Sequence, residues 1–305
     1  PISILRGDRS VNGSIVYGLR QWQKSEFDFR NDDVYSERLY AIKYETPDGK
    51  RYYRAPNEKD LDNEEKVKKL VNDNLVRWQE QGLVPSLAIE SGYNTDQIVR
   101  ERGWTHWNHL FNPRQLLTIK LFSNAFIDNE DKLQNVVGIL GLNRLCDFNA
   151  RLSCFHSGQG VEKTVNVFMN QSFNTLFNYG CSGLMSLNSC WNFRLNNYFV
   201  NKDANINLLD ARDVSHKCDI WVTDPPYADA VNYHELSEFF LAWDKIILQK
   251  TFPEWYTDSK RILAVRGDEH FFHFLIEIYT NLANHMPDFG VQVVMFTHRD
   301  PAVWA

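Results

Sequence analysis

Apolar residues recur at helical spacing between Asn57 and Gln81, at Val67, Leu70, Val71, Leu75 and Trp78. That recurrence predicts a helix with one face turned to a core, stopped by Gly82 and then Pro85. The charged residues between those positions form its solvated side. Upstream, Leu39 to Tyr44 and Lys50 to Arg54 flank Pro47-Asp48-Gly49, which predicts a β-hairpin with a glycine-containing turn. Residues 1–38 are polar and aromatic with no clear period. Asn112 followed by Pro113 predicts a helix start, because asparagine caps free amides and proline already holds a helical φ. Cys218 to Thr223 reads as a buried strand. Just before it, Asn205 to Asp213 reads as a short strand running into a polar turn. Tyr233 to Leu248 forms an apolar-rich helix containing Leu236, Phe239, Phe240, Trp243 and Ile247, and a second helix runs from about Asp268 to Asn284. Val291 to His298 reads as another buried strand. Strand, helix and strand in succession predict an α/β sheet with crossover connections.

Composition sharpens this picture only in places. At 305 residues and 43% hydrophobic content, the chain can bury a sizeable core. We expect a hairpin plus a long helix over residues 1–100 as an accessory region. An α/β domain then covers 101–305, with an asparagine-rich, charge-poor insertion at about 131–200. The chain opens on Pro1 without an initiator methionine and stops at Ala305 after a strand-like run, as an excerpt of a longer polypeptide would. A net charge of −6 argues against a surface that coats nucleic acid uniformly, so any such contact has to be local. Five cysteines, at 146, 154, 181, 190 and 218, include no Cys-x-x-Cys pair, and no metal site is expected. Their odd number without a signal peptide fits a reducing cytoplasm. No apolar run approaches the ~20 residues that cross a bilayer, so no membrane partner is expected.

Candidate chemistry centres on Asp224-Pro225-Pro226-Tyr227, which follows the 218–223 run directly. An acidic residue, two prolines and an aromatic ring at a strand end form a signature of methyltransferases acting on exocyclic amines. Such an amine, on adenine or cytosine, is a poor nucleophile because its lone pair is delocalised into the ring. Two acceptors aimed at its hydrogens draw that pair out of conjugation. The Asp224 carboxylate can supply one, and the Pro225 carbonyl the other, its backbone restricted by Pro226. Tyr227 offers a flat face for the base. A base inside a duplex cannot reach such a pocket, so it must be flipped out or already single-stranded. The structural alternative is a Pro-Pro turn that simply ends a strand.

Other residues are candidates for the surroundings of that site. Ligands in open α/β sheets sit at the carboxyl ends of strands, which would put Asp210, and more weakly Asp213, beside a methyl donor. The alternative is a solvated acidic loop. Asn112 and Arg114, at a helix start, favour an anion such as a phosphate or a donor carboxylate. Trp104, His106, Trp107 and His109, interleaved near Arg100, Arg102, Arg114 and Lys120, could track a nucleic-acid strand. Equally, they could pack on the sheet as an aromatic cluster. Asn166, Asn170, Asn174 and Asn178 recur every four residues, a stripe able to read adenine edges or to serve as a polar helix face. Gly158-Gln159-Gly160 and Gly180-Cys181-Ser182-Gly183 follow no convincing strand and read as loops, not cofactor cradles.

On these residues the chain resembles the adenine-specific DNA methylases that carry an amino-terminal domain of unknown function. The resemblance lies in Asp219 to Trp243, with its DPPYADAVNYHELSEFFLAW core, in GWTHWNHLFNPRQLLTIKLF (Gly103 to Phe122) and in VVMFTHRDPAVW (Val293 to Trp304). It spans about Gly103 to Ala305 and implies a partial Rossmann-like methyltransferase sheet with helical and hairpin elaborations. It further implies S-adenosylmethionine as donor, a flipped adenine N6 in DNA as acceptor, and catalytic roles for Asp224, Pro225, Pro226 and Tyr227. Such proteins are often encoded near restriction and phage-defence loci, so other defence-system subunits are expected partners. One departure stands out. The Asp/Phe-x-Gly-x-Gly turn that holds the donor in such enzymes is absent from these 305 residues. The chain alone is therefore expected to bind the donor weakly. Two rival readings follow: an RNA base amino-methyltransferase, and a non-catalytic DNA-recognition subunit that kept the pocket.

Overall fold

A computed structural model describes residues 9–11, 14–16, 19–33, 36–127, 129–153, 155–156, 163–164, 166–169, 190–191, 204–226, 232–257 and 270–297. Among them the fold is mixed and mostly helical. The helices are α1 (Glu58–Glu80), α2 (Asp96–Arg102), α3 (Pro113–Ile127), α4 (Lys132–Phe148), α5 (Tyr233–Thr251) and α6 (Phe271–Asn284). Eight short strands form four two-stranded pairs: β1 (Arg9–Val11) with β2 (Ser14–Val16), β3 (Ile42–Glu45) with β4 (Arg51–Arg54), β5 (Phe155–His156) with β6 (Lys163–Thr164), and β7 (Ile220–Thr223) with β8 (Val291–Val294). The last pair is parallel and the others antiparallel. No larger Rossmann-like sheet occurs among the described residues.

The chain groups into two compact units, Pro1–Asn197 with Phe239–Thr251, and Tyr198–Glu238 with Phe252–Ala305. A boundary near residue 100 falls inside the first of these, where α1 packs on α3 and α3 on α4. Helix α1 starts at a reciprocal cap in which Asn57 and Asp60 each accept the other's amide at 2.9 Å. Of the core face its apolar spacing predicts, it buries Val71, Leu75 and Trp78, while Val67 is half-buried and Leu70 is exposed. Gly103 ends α2 with φ +73, and a Cβ there would fall 1.9 Å from the Arg20 carbonyl oxygen, so only glycine fits. From Phe239 onward α5 lies in this unit. Phe239 stacks on Phe111 at 5.8 Å and Trp243 meets Phe111 edge-on at 5.0 Å. Burying Phe239, Trp243 and Ile247 stabilises the unit by roughly 1.5–3 kcal/mol each.

Arg151 joins three stretches of this unit. Its guanidinium bonds Glu37 at 2.6 Å, the His109 carbonyl at 2.7 Å and the Phe27 carbonyl at 2.9 Å. Trp22, Phe29 and Trp104 surround it at 5.3–5.7 Å. The side chain is fully buried, so three acceptors are satisfied by one fork that no lysine could replace.

The second unit is small. Parallel neighbours need a crossover, and α5 and α6 lie between β7 and β8 in the chain. The register runs from Ile220 opposite Val291 to Thr223 opposite Val294. Two expectations fail here. Strands β7 and β8, read as buried, are largely exposed, with Ile220 at 63% and Val222 at 62%. Residues 204–209, read as the start of a strand, are exposed and unpaired with any strand. Instead Asp210 caps a 3-10 turn over Ala211–Asp213. Asn281 of α6 fastens that turn by donating to the Ala211 and Val214 carbonyls. Side-chain anchoring thus replaces a strand ladder. No helix among the described residues is long and apolar enough to cross a membrane.

Arg151→Met is expected to destabilise the protein by about 3–5 kcal/mol, because Glu37 and two carbonyls are left buried without their donor. Urea unfolding of Arg151→Met and Arg151→Lys checks this. Losses near zero in both would contradict it.

Candidate active site at the end of strand β7

The hydrogen-bond ladder of β7 and β8 continues one step past the strands, where the Met295 amide donates to the Thr223 carbonyl at 2.8 Å. Thr223 is also tied sideways, its hydroxyl 3.1 Å from the Tyr279 hydroxyl on α6. Asp224 is the first residue beyond this ladder. It is exposed, and its carboxylate makes no hydrogen bond or ion pair among the described residues. Pro225 and Pro226 are half-buried behind it. A firmly held strand thus delivers a free carboxylate and a restricted proline backbone to its carboxyl end. That arrangement can accept hydrogen bonds from an amine. Tyr227 lies outside the described residues, as do Asn170 and Asn174.

Asp210 and Asp213 belong to the same unit, on the turn packed against α6. The Asp210 carboxylate is already engaged: Oδ1 accepts from the Arg212 amide at 2.9 Å and from Nε at 3.0 Å, and Oδ2 accepts from the guanidinium at 2.6 Å. The hydrogen bonds from Arg212 hold this carboxyl below the usual carboxylate range. Arg212 in turn reaches Glu277 and stacks over Phe274 at 4.7 Å. Asp213 is exposed.

The residues expected to hold an anion are occupied elsewhere. Asn112 accepts the Gln115 amide while Gln115 accepts the Asn112 amide, both at 2.9 Å, which closes the start of α3. Arg114 pairs with Glu64 of α1 through Nε at 2.7 Å. Asn112, Arg114 and Asp210 thus already have partners within the chain, which the carboxylate or adenine of an S-adenosylmethionine would have to displace, whereas Asp213 is exposed.

The expected nucleic-acid contacts are corrected more sharply. Trp104 is 1% exposed, Trp107 0% and Arg102 2%. Trp104 lies against the Arg102 and Arg151 guanidinium groups, and Trp107 packs on Phe239 and Phe168. Rings enclosed in the core have no face left for a base, and the Arg102 guanidinium is too buried to reach a phosphate. The aromatic-cluster alternative is the one the packing follows. His109 belongs to it: burial drives its pKa down to about 3, so the ring is neutral. Its Nδ1 accepts from the Thr105 amide at 3.1 Å, leaving Nε2 to donate to the Gln23 carbonyl at 3.0 Å.

One buried titratable group was not among the sequence candidates. Asp244 of α5 accepts from Asn143 at 2.9 Å, yet burial pushes its carboxyl up to about 7. It is 6% exposed, and the nearby Cys146 thiol is likewise driven up by burial. Perturbed groups mark functional sites when they line a cleft; this one is enclosed. Among the described residues no group of three or more metal-ligating side chains converges. No protein-family model, curated protein or solved structure matches the chain.

Because the folded Asp244 carboxyl titrates above its unfolded value, its stabilising effect is complete near pH 4 and lost as pH rises toward 7. Urea unfolding at about pH 5 and about pH 8 is expected to show lower stability at the higher value, and Asp244→Asn to flatten that difference. An unaltered slope in the variant would contradict the assignment.

Proposed function

We propose that this chain carries the amine-accepting half of an adenine N6-methyltransferase that acts on DNA and uses S-adenosylmethionine. The observation behind it is the free Asp224 carboxylate before Pro225-Pro226, at the carboxyl end of a strand in a parallel pair. In this reading β7 and β8 belong to a Rossmann-like sheet, whose strand ends are where such enzymes hold ligands. Asp224 accepts one hydrogen of the flipped adenine amine and the Pro225 carbonyl accepts the other. Both bonds turn the nitrogen lone pair out of the ring. Tyr227 stacks on the base. The chemistry is positioning, with no covalent nucleophile. On the resemblance, the setting we propose is a cytoplasmic restriction or phage-defence system.

A second reading has its own support. Asn112, Arg114 and Asp210 are occupied, and the glycine-rich turn is absent from the sequence. A DNA-recognition subunit that holds a base without methylating it would show the same features.

Asp224→Ala separates the two. Asp224 is exposed and makes no hydrogen bond among the described residues, so its loss is expected to change stability by no more than about 0.5 kcal/mol. Methyl transfer to DNA should fall by at least ~100-fold. No transfer by the wild type would favour the recognition subunit, and unchanged transfer in the variant at an unchanged melting temperature would overturn the role given to Asp224.

A further inference from the structure

The β3–β4 hairpin is a ribbon that carries tyrosines and basic residues on both faces, with Ile42 on one and Glu45 on the other. Alternation puts Tyr44 and Arg54 on one face with Tyr52, and Lys43 and Arg51 on the other with Tyr53. A hairpin that serves a core shows one apolar face and one polar face. Here all four residues of β4, Arg51-Tyr52-Tyr53-Arg54, are exposed, with Tyr52 at 48% and Tyr53 at 53%. The rings are held nonetheless. Tyr44 and Tyr52 stack at 5.3 Å and 14°, Arg54 lies 5.1 Å over Tyr44, and Lys43 lies 5.7 Å over Tyr53.

The local charge is opposite to that of the chain. From Arg38 to Arg54 five basic residues stand against two acidic ones, in a protein of net charge −6. The acidic residues do pair, Glu45 with Arg51 at 2.7 Å and Asp48 with Lys50 at 3.2 Å. Asp60 of α1 lies 3.8 Å from Arg54. Exposed pairs of this kind contribute about 0–1 kcal/mol, so a phosphate can displace them.

We infer that the β3–β4 hairpin is a docking surface for a single strand of DNA that crosses the open edge of β4, one base stacking on Tyr52 and another on Tyr53 on the opposite face, while Lys43, Arg51 and Arg54 take the phosphates. The choice of DNA rests on the proposed methyltransferase reading; the choice of single strand rests on the rings. A base in a duplex already has both faces covered, so an exposed tyrosine finds a free face only on an unpaired strand. Contacts from this hairpin would also answer where a net acidic protein meets DNA, since Trp104, Trp107 and Arg102 are enclosed.

Fluorescence anisotropy of a labelled single strand of about 16 nucleotides, and of its duplex, tests this directly. Tyr52→Ala/Tyr53→Ala is expected to weaken single-strand binding by roughly 30-fold, and Tyr52→Phe/Tyr53→Phe to restore it, since stacking needs the ring and not the hydroxyl. Arg51→Ala/Arg54→Ala should lower the salt slope by about 1 to 2. Circular dichroism confirms that each variant is folded. Equal affinity of the alanine variant, no binding by the wild type, or duplex binding with the same tyrosine dependence would each overturn the inference. Methyl transfer measured alongside keeps the two claims apart. Tyrosine-dependent binding without methyl transfer removes the enzyme reading alone, whereas methyl transfer with tyrosine-independent binding removes the hairpin assignment alone.

Discussion

The first unit depends on one buried cation. Arg151 brings Glu37, Phe27 and His109 to a single guanidinium, inside a cage of Trp22, Phe29 and Trp104. Taking a charge out of water is costly unless its bonds are all made. That cost ties together residues 19–33, Glu37, the turn at Trp107–Leu110 and the segment that follows α4. The neutral His109 ring completes it by reaching back to Gln23. The same constraint explains why an aromatic and basic stretch that could have faced nucleic acid is enclosed instead.

The candidate site has a different physical basis. Nothing in β7 holds Asp224 itself; the strand holds its neighbour. Thr223 is fixed by the Met295 amide and by the Tyr279 hydroxyl, and the chain then enters two prolines with few backbone options. Preorganisation therefore comes from what precedes the carboxylate, which leaves the carboxylate available. Asp210 shows the reverse case. Its carboxylate caps a turn and binds Arg212, so it stabilises structure and has little left to offer a ligand.

Features written in local spacing were legible in the sequence. Helix α1 is marked by its apolar period and its stop at Gly82, the β3–β4 hairpin by its Asp48-Gly49 turn, and α3 by Asn112-Pro113. The helix boundaries after Asp224 were close as well, because α5 and α6 alternate apolar and polar residues at helical spacing. Features that depend on distant partners were not legible. Arg151 and Glu37 are 114 residues apart, and Asp244 and Asn143 are 101 apart, with no local sign of either pair. Ile206, Leu208 and Leu209 look strand-like, but a strand needs a neighbour to take its amides, and Asn281 takes the nearby carbonyls instead. Trp104 and Trp107 carry the composition of a stacking platform and the burial of a core; composition alone does not separate the two.

The account rests most heavily on Asp224 presenting an acceptor to adenine N6. Incubation of the protein with DNA, with RNA and with saturating S-adenosylmethionine carrying a labelled methyl group, followed by mass spectrometry of the nucleosides, tests it most directly. Label confined to N6-methyldeoxyadenosine is the predicted result. Label in RNA alone, on another atom, or on no base at all would contradict it.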